Sequence, residues 1–182
     1  LSKKVVIEEF LQGEEASYFI ITDGENYIPI GTAQDHKRIG ENDTGPNTGG
    51  MGAYSPSYLI TAEVEEKIKQ KIIEPTLKGM KEIGCPYKGI LYAGLMIENS
   101  EPKLIEYNIR FGDPECQILM MRLENDLIDL ITATFNKTLL NKKVSWTKEP
   151  GITIVAASKG YPENFEKLKE IKNIHMIKLN NK

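Results

Sequence analysis

The sequence predicts an α+β fold, an antiparallel sheet flanked by helices, followed by the start of a small C-terminal α/β unit. Three observations predict it. Apolar runs are twice joined by turn residues, at Asp23-Gly24 and at Asn99-Ser100; apolar residues recur at helical spacing after Thr61; and a longer helical stretch begins at Cys116.

Residues 5–11, with Val5, Val6, Ile7, Phe10 and Leu11, read as a first strand running to a turn at Gly13. Residues 16–22 and 27–32 then read as a hairpin around Asp23-Gly24, with a loop of two residues or more. Residues 35–57 turn polar and carry Gly40, Gly45, Gly49, Gly50, Gly52, Pro46 and Pro56, so they read as one long loop. Such a loop inside a compact domain is functional or disordered. Thr61 offers an N-cap, Glu63, Glu65 and Glu66 suit a first turn, and Val64, Ile68 and Ile72 form a stripe. A helix perturbed at Pro75 follows. A second hairpin is expected from 88–98 and 103–110, then one long helix over 116–135, then a polar connection over 136–150. Residues 151–157 read as a buried strand and 174–179 as a last one. The division expected is a main unit over 1–147 and the beginning of a second over 148–182.

With 182 residues and 23 Lys+Arg against 26 Asp+Glu, the formal charge is −3 and no basic cluster stands out. Nucleic acid is therefore excluded as the main partner, because phosphate-backbone binding needs concentrated Lys and Arg. The longest apolar runs are a handful of residues, against about 20 for a spanning helix, so no membrane partner is expected. Two cysteines, Cys85 and Cys116, have neither metal-ligand spacing nor a disulfide framework, which points to a reducing, cytoplasmic setting. The chain opens at Leu1 without Met or a signal-peptide core and ends at Lys182 without a stop signal, so both ends read as cuts in something longer.

The richest chemistry lies in residues 104–115. Period-two alternation puts Glu106, Asn108 and Arg110 on one face of a strand and Ile105, Tyr107 and Ile109 on the other. Carboxylate and amide oxygens suit Mg²⁺, which keeps waters and shares its shell with substrate phosphates; Arg110 beside them would neutralise a phosphoryl group in transit. An edge strand with a solvated polar face gives the same pattern, but the following Asp113-Pro114-Glu115 turn adds two more carboxylates. Residues 44–53, with Asn47, Thr48, Gly49, Gly50, Met51 and Gly52, let backbone N–H groups approach an anion closely. This is neither a Walker loop nor a dinucleotide fingerprint, and a merely mobile loop has the same composition. Gln34-Asp35-His36-Lys37-Arg38 sets potential cations beside a carboxylate, a phosphate grip or a surface charge run. Glu8 and Glu9 face opposite ways on a strand, so only one of them can enter a cleft. Only His36 and His175 are present and there is no nucleophile elbow, which excludes a hydrolase triad. Cys116 at a helix start is placed for a stabilised thiolate, or else is a buried inert thiol.

Taken in order, residues 6–17, 34–38, 43–56, 91–96 and 105–115 resemble the ATP-grasp ligases, and among them the branch that joins glycine to 5-phosphoribosylamine. The likeness runs from about Val5 to Pro162. It implies an ATP-grasp core and an ATP-dependent reaction through glycyl phosphate, giving glycinamide ribonucleotide, ADP and phosphate in de novo purine biosynthesis. By the same resemblance Glu106 and Asn108 match the Mg²⁺ ligands, with Mn²⁺ an alternative ion; Arg110 matches the arginine on the transferring phosphate, and Lys37 is a second cation. Glu8 and Leu11 fall in the segment that passes the adenine, and Glu15 matches the carboxylate on the ribose hydroxyls. His36, Arg38, Asn47, Thr48, Gly49, Gly50, Met51, Gly52, Asp113 and Pro114 would shape the glycine and phosphoribosylamine pocket. The family's N-terminal domain and ATP-covering lid have no counterpart in the sequence, and the further acidic metal ligand of many relatives is absent from the strand around Tyr92-Ala93-Gly94. A different acid and amine within the same superfamily, or a noncatalytic nucleotide-binding module, are the competing readings.

Overall fold

The computed structural model describes residues 4–176. Its centre is a six-stranded antiparallel sheet in the order β7-β6-β1-β2-β5-β8. The strands are β1 (Glu14–Thr22), β2 (Tyr27–Asp35), β5 (Gly52–Ser55), β6 (Gly89–Glu98), β7 (Glu101–Asn108) and β8 (Gly151–Ile154). A small separate ribbon pairs β3 (Arg38–Gly40) with β4 (Thr44–Asn47).

β1 explains why helices lie on both faces. Its residues Ala16 to Thr22 are all buried, so it is a fully covered central strand rather than a half-solvated one. Tyr18 and Ile20 point to one core with Leu91, Ala93 and Leu95; Phe19 and Ile21 point to the other with Ile30, Ile118 and Leu119. Each such apolar side chain removed from water contributes roughly 1.5–3 kcal/mol. The first core is closed by α1 (Ala62–Ile68) and α2 (Glu74–Glu82), the second by α3 (Glu115–Arg122) and α4 (Leu127–Phe135).

Both expected hairpins form. Asp23 Oδ1 accepts from the backbone N–H of Glu25 and Asn26, closing the first. Asn99 and Ser100 close the second, both at positive φ (50° and 62°), the left-handed pair that a two-residue hairpin loop requires. Thr61 caps α1 by accepting from Val64 N–H, and the disturbance expected at Pro75 is a π-helical stretch, Lys69–Ile73, that precedes the proline in the first turn of α2.

Several expectations need correction. Residues 5–11 pair with no strand among the described residues, and Val5, Val6, Ile7 and Phe10 are more than 80% exposed: β propensity without a neighbouring ladder gives an extended segment only. The long loop over 35–57 contains β3, β4 and β5. The helix over 116–135 is two helices, because Asn125 takes backbone partners in the 136–150 connection and Asp126 caps α4 through Ile128 N–H. β8 is an outer strand, with Ile152 and Ile154 exposed, and not a buried one. Of the expected last strand, Ile174–Met176 form a 3₁₀ turn and 177–179 lie outside the described residues. The stretch from 148 thus places β8 on the same sheet as β1 and, beyond it, turns and this 3₁₀ segment but no further strand or α-helix among the described residues.

Candidate functional site

One end of the sheet gathers the polar residues. Three adjoining cavities open there, and Asp35 and Lys37 line all of them. The first adds Glu15, Ser17, Tyr92 and Glu106; the second adds Glu15, His36, Arg38 and Asn47; the third adds Thr48, Gly49, Glu106, Asn108, Arg110, Asp113 and Glu115.

β7 delivers the acid and the amide, and the chain just past its end delivers the cation. Glu106 and Asn108 share the cavity face, whereas Tyr107 turns to the opposite core, its hydroxyl on Thr76 Oγ1 and the Ile72 carbonyl. A bulge between Gly94 and Leu95 of β6 offsets the pairing here, so Glu106 faces Gly94, where there is no side chain to crowd it. Asn108 Nδ2 donates to Glu106 Oε1 at 3.0 Å, which leaves the Asn108 amide oxygen for a cation. Arg110, just past the strand, is braced by donating Nη1–H to the Phe111 carbonyl at 2.8 Å.

Lys37 follows β2 and its Nζ lies 2.6 Å from Glu15 Oε2 on β1. Burial works to lower the Lys37 ammonium, but the Glu15 hydrogen bond and charge override it and the net shift is upward; the group stays charged. Asp35 behaves in the opposite way. Burial first, and the Glu115 carboxylate second, push it up to about 7, against the pull of Lys37. Its Oδ1 is buried without a hydrogen-bond partner. Glu115, 2% exposed, sits 3.1 Å from Ser17 Oγ, which is 2.9 Å from the Tyr92 hydroxyl. Gly112 makes room for that carboxylate, since a Cβ there would overlap it. Burial, then Asp113 and Glu115, raise the Cys116 thiol, which runs against a stabilised thiolate at this helix start.

The glycine loop closes over the same end. Thr48 N–H and Oγ1 both reach the Lys37 carbonyl, and Gly50 N–H returns to Thr48 Oγ1. Gly50 has φ +113°, and a Cβ there would overlap Pro114 and come within 2.9 Å of Asp35 Oδ1. Gly49 N–H donates to the Tyr161 hydroxyl at 3.2 Å.

The structure therefore brings together Glu15, His36, Lys37, Arg38, Asn47, Thr48, Gly49, Glu106, Asn108, Arg110 and Asp113, with Gly50 and Pro114 in contact behind them. Met51 and Gly52 line none of these cavities; their backbones bond to His36, which lines the second, and on the other side to Val155 and β8. Glu8 and Leu11 line none of these cavities. Asp35, Ser17 and Tyr92 were given no role by sequence, and Glu115 only that of a further carboxylate beside the row; for Asp35 the only signal was its place in the charged run before the loop.

Comparison with known proteins agrees with this fold and gives its family. The family model described as phosphoribosylglycinamide synthetase, ATP-grasp (A) domain, matches residues 1–116. A phosphoribosylamine–glycine ligase of Brucella melitensis is 54% identical over 174 residues, 96% of this chain and 41% of that protein. The chloroplastic phosphoribosylamine–glycine ligase of Arabidopsis thaliana is 56% identical over 173 residues, 94% of this chain and 32% of that one. The crystal structure of the Thermotoga maritima phosphoribosylamine–glycine ligase superposes with a TM-score of 0.79 at 32% identity, covering 87% of this chain and 40% of the other. Kluyveromyces lactis urea carboxylase, at 16% identity and a TM-score of 0.57, shares the fold alone. The chain thus spans about two fifths of the Brucella and Thermotoga proteins and a third of the Arabidopsis one. By sequence, sheet and glycine loop, the chain belongs to the phosphoribosylglycinamide synthetase ATP-grasp domain family.

Proposed function

We propose that this chain is the ATP-grasp portion of a ligase that uses ATP to join glycine to 5-phosphoribosylamine, a step of de novo purine biosynthesis. The carrying observation is the row Glu106, Asn108 and Arg110, which shares one cavity with Lys37 and the glycine loop. A carboxylate resists attack until one oxygen becomes a phosphate leaving group, so the protein must position glycine against the γ-phosphate and neutralise charge. Arg110 and Lys37 supply two fixed cations; the N–H groups of Thr48, Gly49 and Gly50 are bonded within the protein, so the loop walls the cavity.

The oxygen donors fit Mg²⁺ or Mn²⁺: among the described residues no set of three or more His, Cys, Asp and Glu is arranged as a metal cage, and a carboxylate plus an amide oxygen is the sparse set used when phosphates and water complete the shell. Glu106 and Asn108 would hold the ion, which when bound offsets phosphate charge. Glu15, gripping Lys37, sits where one carboxylate can serve both that lysine and the ribose hydroxyls of ATP. Glu8 and Leu11 remain assigned to the adenine side, and His36, Arg38, Asn47 and the loop to the amine and acid substrates. We take residues 1–147 together with β8 as the ATP-grasp core, the chain beyond β8 as the start of the next unit, and the cytoplasm as the compartment, in keeping with two free thiols.

The test is ADP release by the full-length enzyme. Release that requires both glycine and phosphoribosylamine supports the proposal; dependence on another acid, or activity unaltered by Glu106→Gln, defeats it. The 182-residue chain alone is expected to be nearly inactive.

A further inference from the structure

We propose that Asp35 is the group that accepts the proton from the attacking amine. The inference rests on the function proposed above and concerns the step after acyl phosphate formation. There the amine nitrogen forms a bond to the acyl carbon, the carbon–oxygen bond to phosphate breaks with its electron pair leaving on phosphate, and one nitrogen-bound proton must go to a base. Asp35 stands where the three cavities meet, between the row on β7 and the glycine loop. One of its oxygens is buried and unpartnered against Gly50, an arrangement that stability alone disfavours, because a buried unpartnered carboxylate oxygen loses hydration for nothing in return.

Its neighbours decide between the candidates. Glu15 on β1 is committed to Lys37 at 2.6 Å. Asp113, in the turn before α3, accepts from Gln117 Nε2 at 2.7 Å. Glu106 on β7 is bonded to Asn108, and Glu115 on α3 to Ser17. His36 beside it is exposed, with its ring against Tyr54, and Lys37 and Arg110 are cations. Asp35 is the carboxyl of this set with no side-chain partner. Burial and Glu115 also bring it up to about 7, a basicity suited to taking a proton near neutral pH.

The experiment separates the two chemical steps in the full-length enzyme. With ATP and glycine, hydroxylamine, a weakly basic amine already neutral at pH 8, traps acyl phosphate as hydroxamate. Asp35→Asn is expected to lower ligation of phosphoribosylamine at least 100-fold further than it lowers hydroxamate formation, within the roughly 10²–10⁴-fold range of general-base catalysis. It is also expected to remove the limb of kcat/KM for the amine that rises through about pH 7. Equal losses in the two assays, or a persisting limb, would overturn the assignment. Glu115→Gln is a second probe that leaves Asp35 in place: it should move the limb to lower pH, and an unmoved limb would also count against Asp35. If the unmodified enzyme forms no glycine hydroxamate, the acyl phosphate reading itself falls, and that result is distinct from a failure of Asp35 alone.

Discussion

Replacing Arg122 with Met tests how α3 is tied to β5 and to the connection after α4. Arg122, on α3, is 9% exposed and donates Nη1–H to Ser55 Oγ at 2.8 Å, Nε–H to the Glu149 carbonyl at 3.1 Å and Nη2–H to the Thr147 carbonyl at 3.1 Å, with its guanidinium 5.7 Å from the Trp146 ring. Ser55 in turn donates to the Thr32 carbonyl, so one cation ties α3 to β5, β2 and the connection after α4. Hydrogen bonds from a charged donor are each worth roughly 1.5–3 kcal/mol, and the stacking adds about 0.5–1 kcal/mol. Against this, Met escapes the several kcal/mol of guanidinium desolvation, and water can reach the Thr147 and Glu149 carbonyls once the cation is gone. The net expectation is a loss of about 2–4 kcal/mol, read from urea unfolding of the full-length protein. Arg122→Lys should recover less than half, because an ammonium cannot reach three acceptors in a plane. A loss under about 1 kcal/mol, or full rescue by Lys, would refute the reasoning that the planar fork organises this junction.

At the row on β7, Arg110→Ala should lower kcat far more than it raises the KM for ATP, if its partner charge develops only in the reaction; steady-state kinetics on both substrates checks this. Asn108→Leu should raise the Mg²⁺ concentration needed for half-maximal ADP release, because one oxygen donor is lost while Glu106 stays. Gly50→Ala should destabilise by about 1–3 kcal/mol from positive φ and crowding, measurable by thermal unfolding. Asp35→Asn carries a signed pH effect on stability. The folded carboxyl sits near 7, above its unfolded value, so the protonated group's contribution is full in acid and lost as pH rises through about 7. The Asn variant should therefore gain stability over the parent at pH 8, less at pH 5, and little only at about pH 3, below the unfolded value, and a gain that is the same at pH 8 and pH 3 would contradict the burial argument.

What the sequence disclosed and what it hid divide along locality. The hairpin at Asn99-Ser100 was legible because turn chemistry acts within a few residues, and the row of Glu106, Asn108 and Arg110 because strand period is local too. β5 was hidden: apart from Tyr54 its residues, Gly52, Ala53 and Ser55, carry little strand propensity, and they become a strand by pairing with Gln34, Asp35 and the distant residues of β8. The split between α3 and α4 was hidden for a related reason, since Leu123 leaves helical geometry to bridge Trp146 from the connection beyond.

The same divide explains which site residues were missed. Lys37 and Arg110 announce themselves as cations wherever they fall. The chemistry of Asp35 and Glu115 is conferred by burial, and burial is made by Gly50 from the loop, Pro114 and Gly112 from the turn before α3, and Ser17 and Tyr92 from the central strands. No window of sequence contains those partners. A carboxylate held next to another carboxylate, under glycines that cannot accept a side chain, is a poor choice for stability. Its persistence beside fixed cations is the pattern expected where a fold gives up stability to keep a proton acceptor ready.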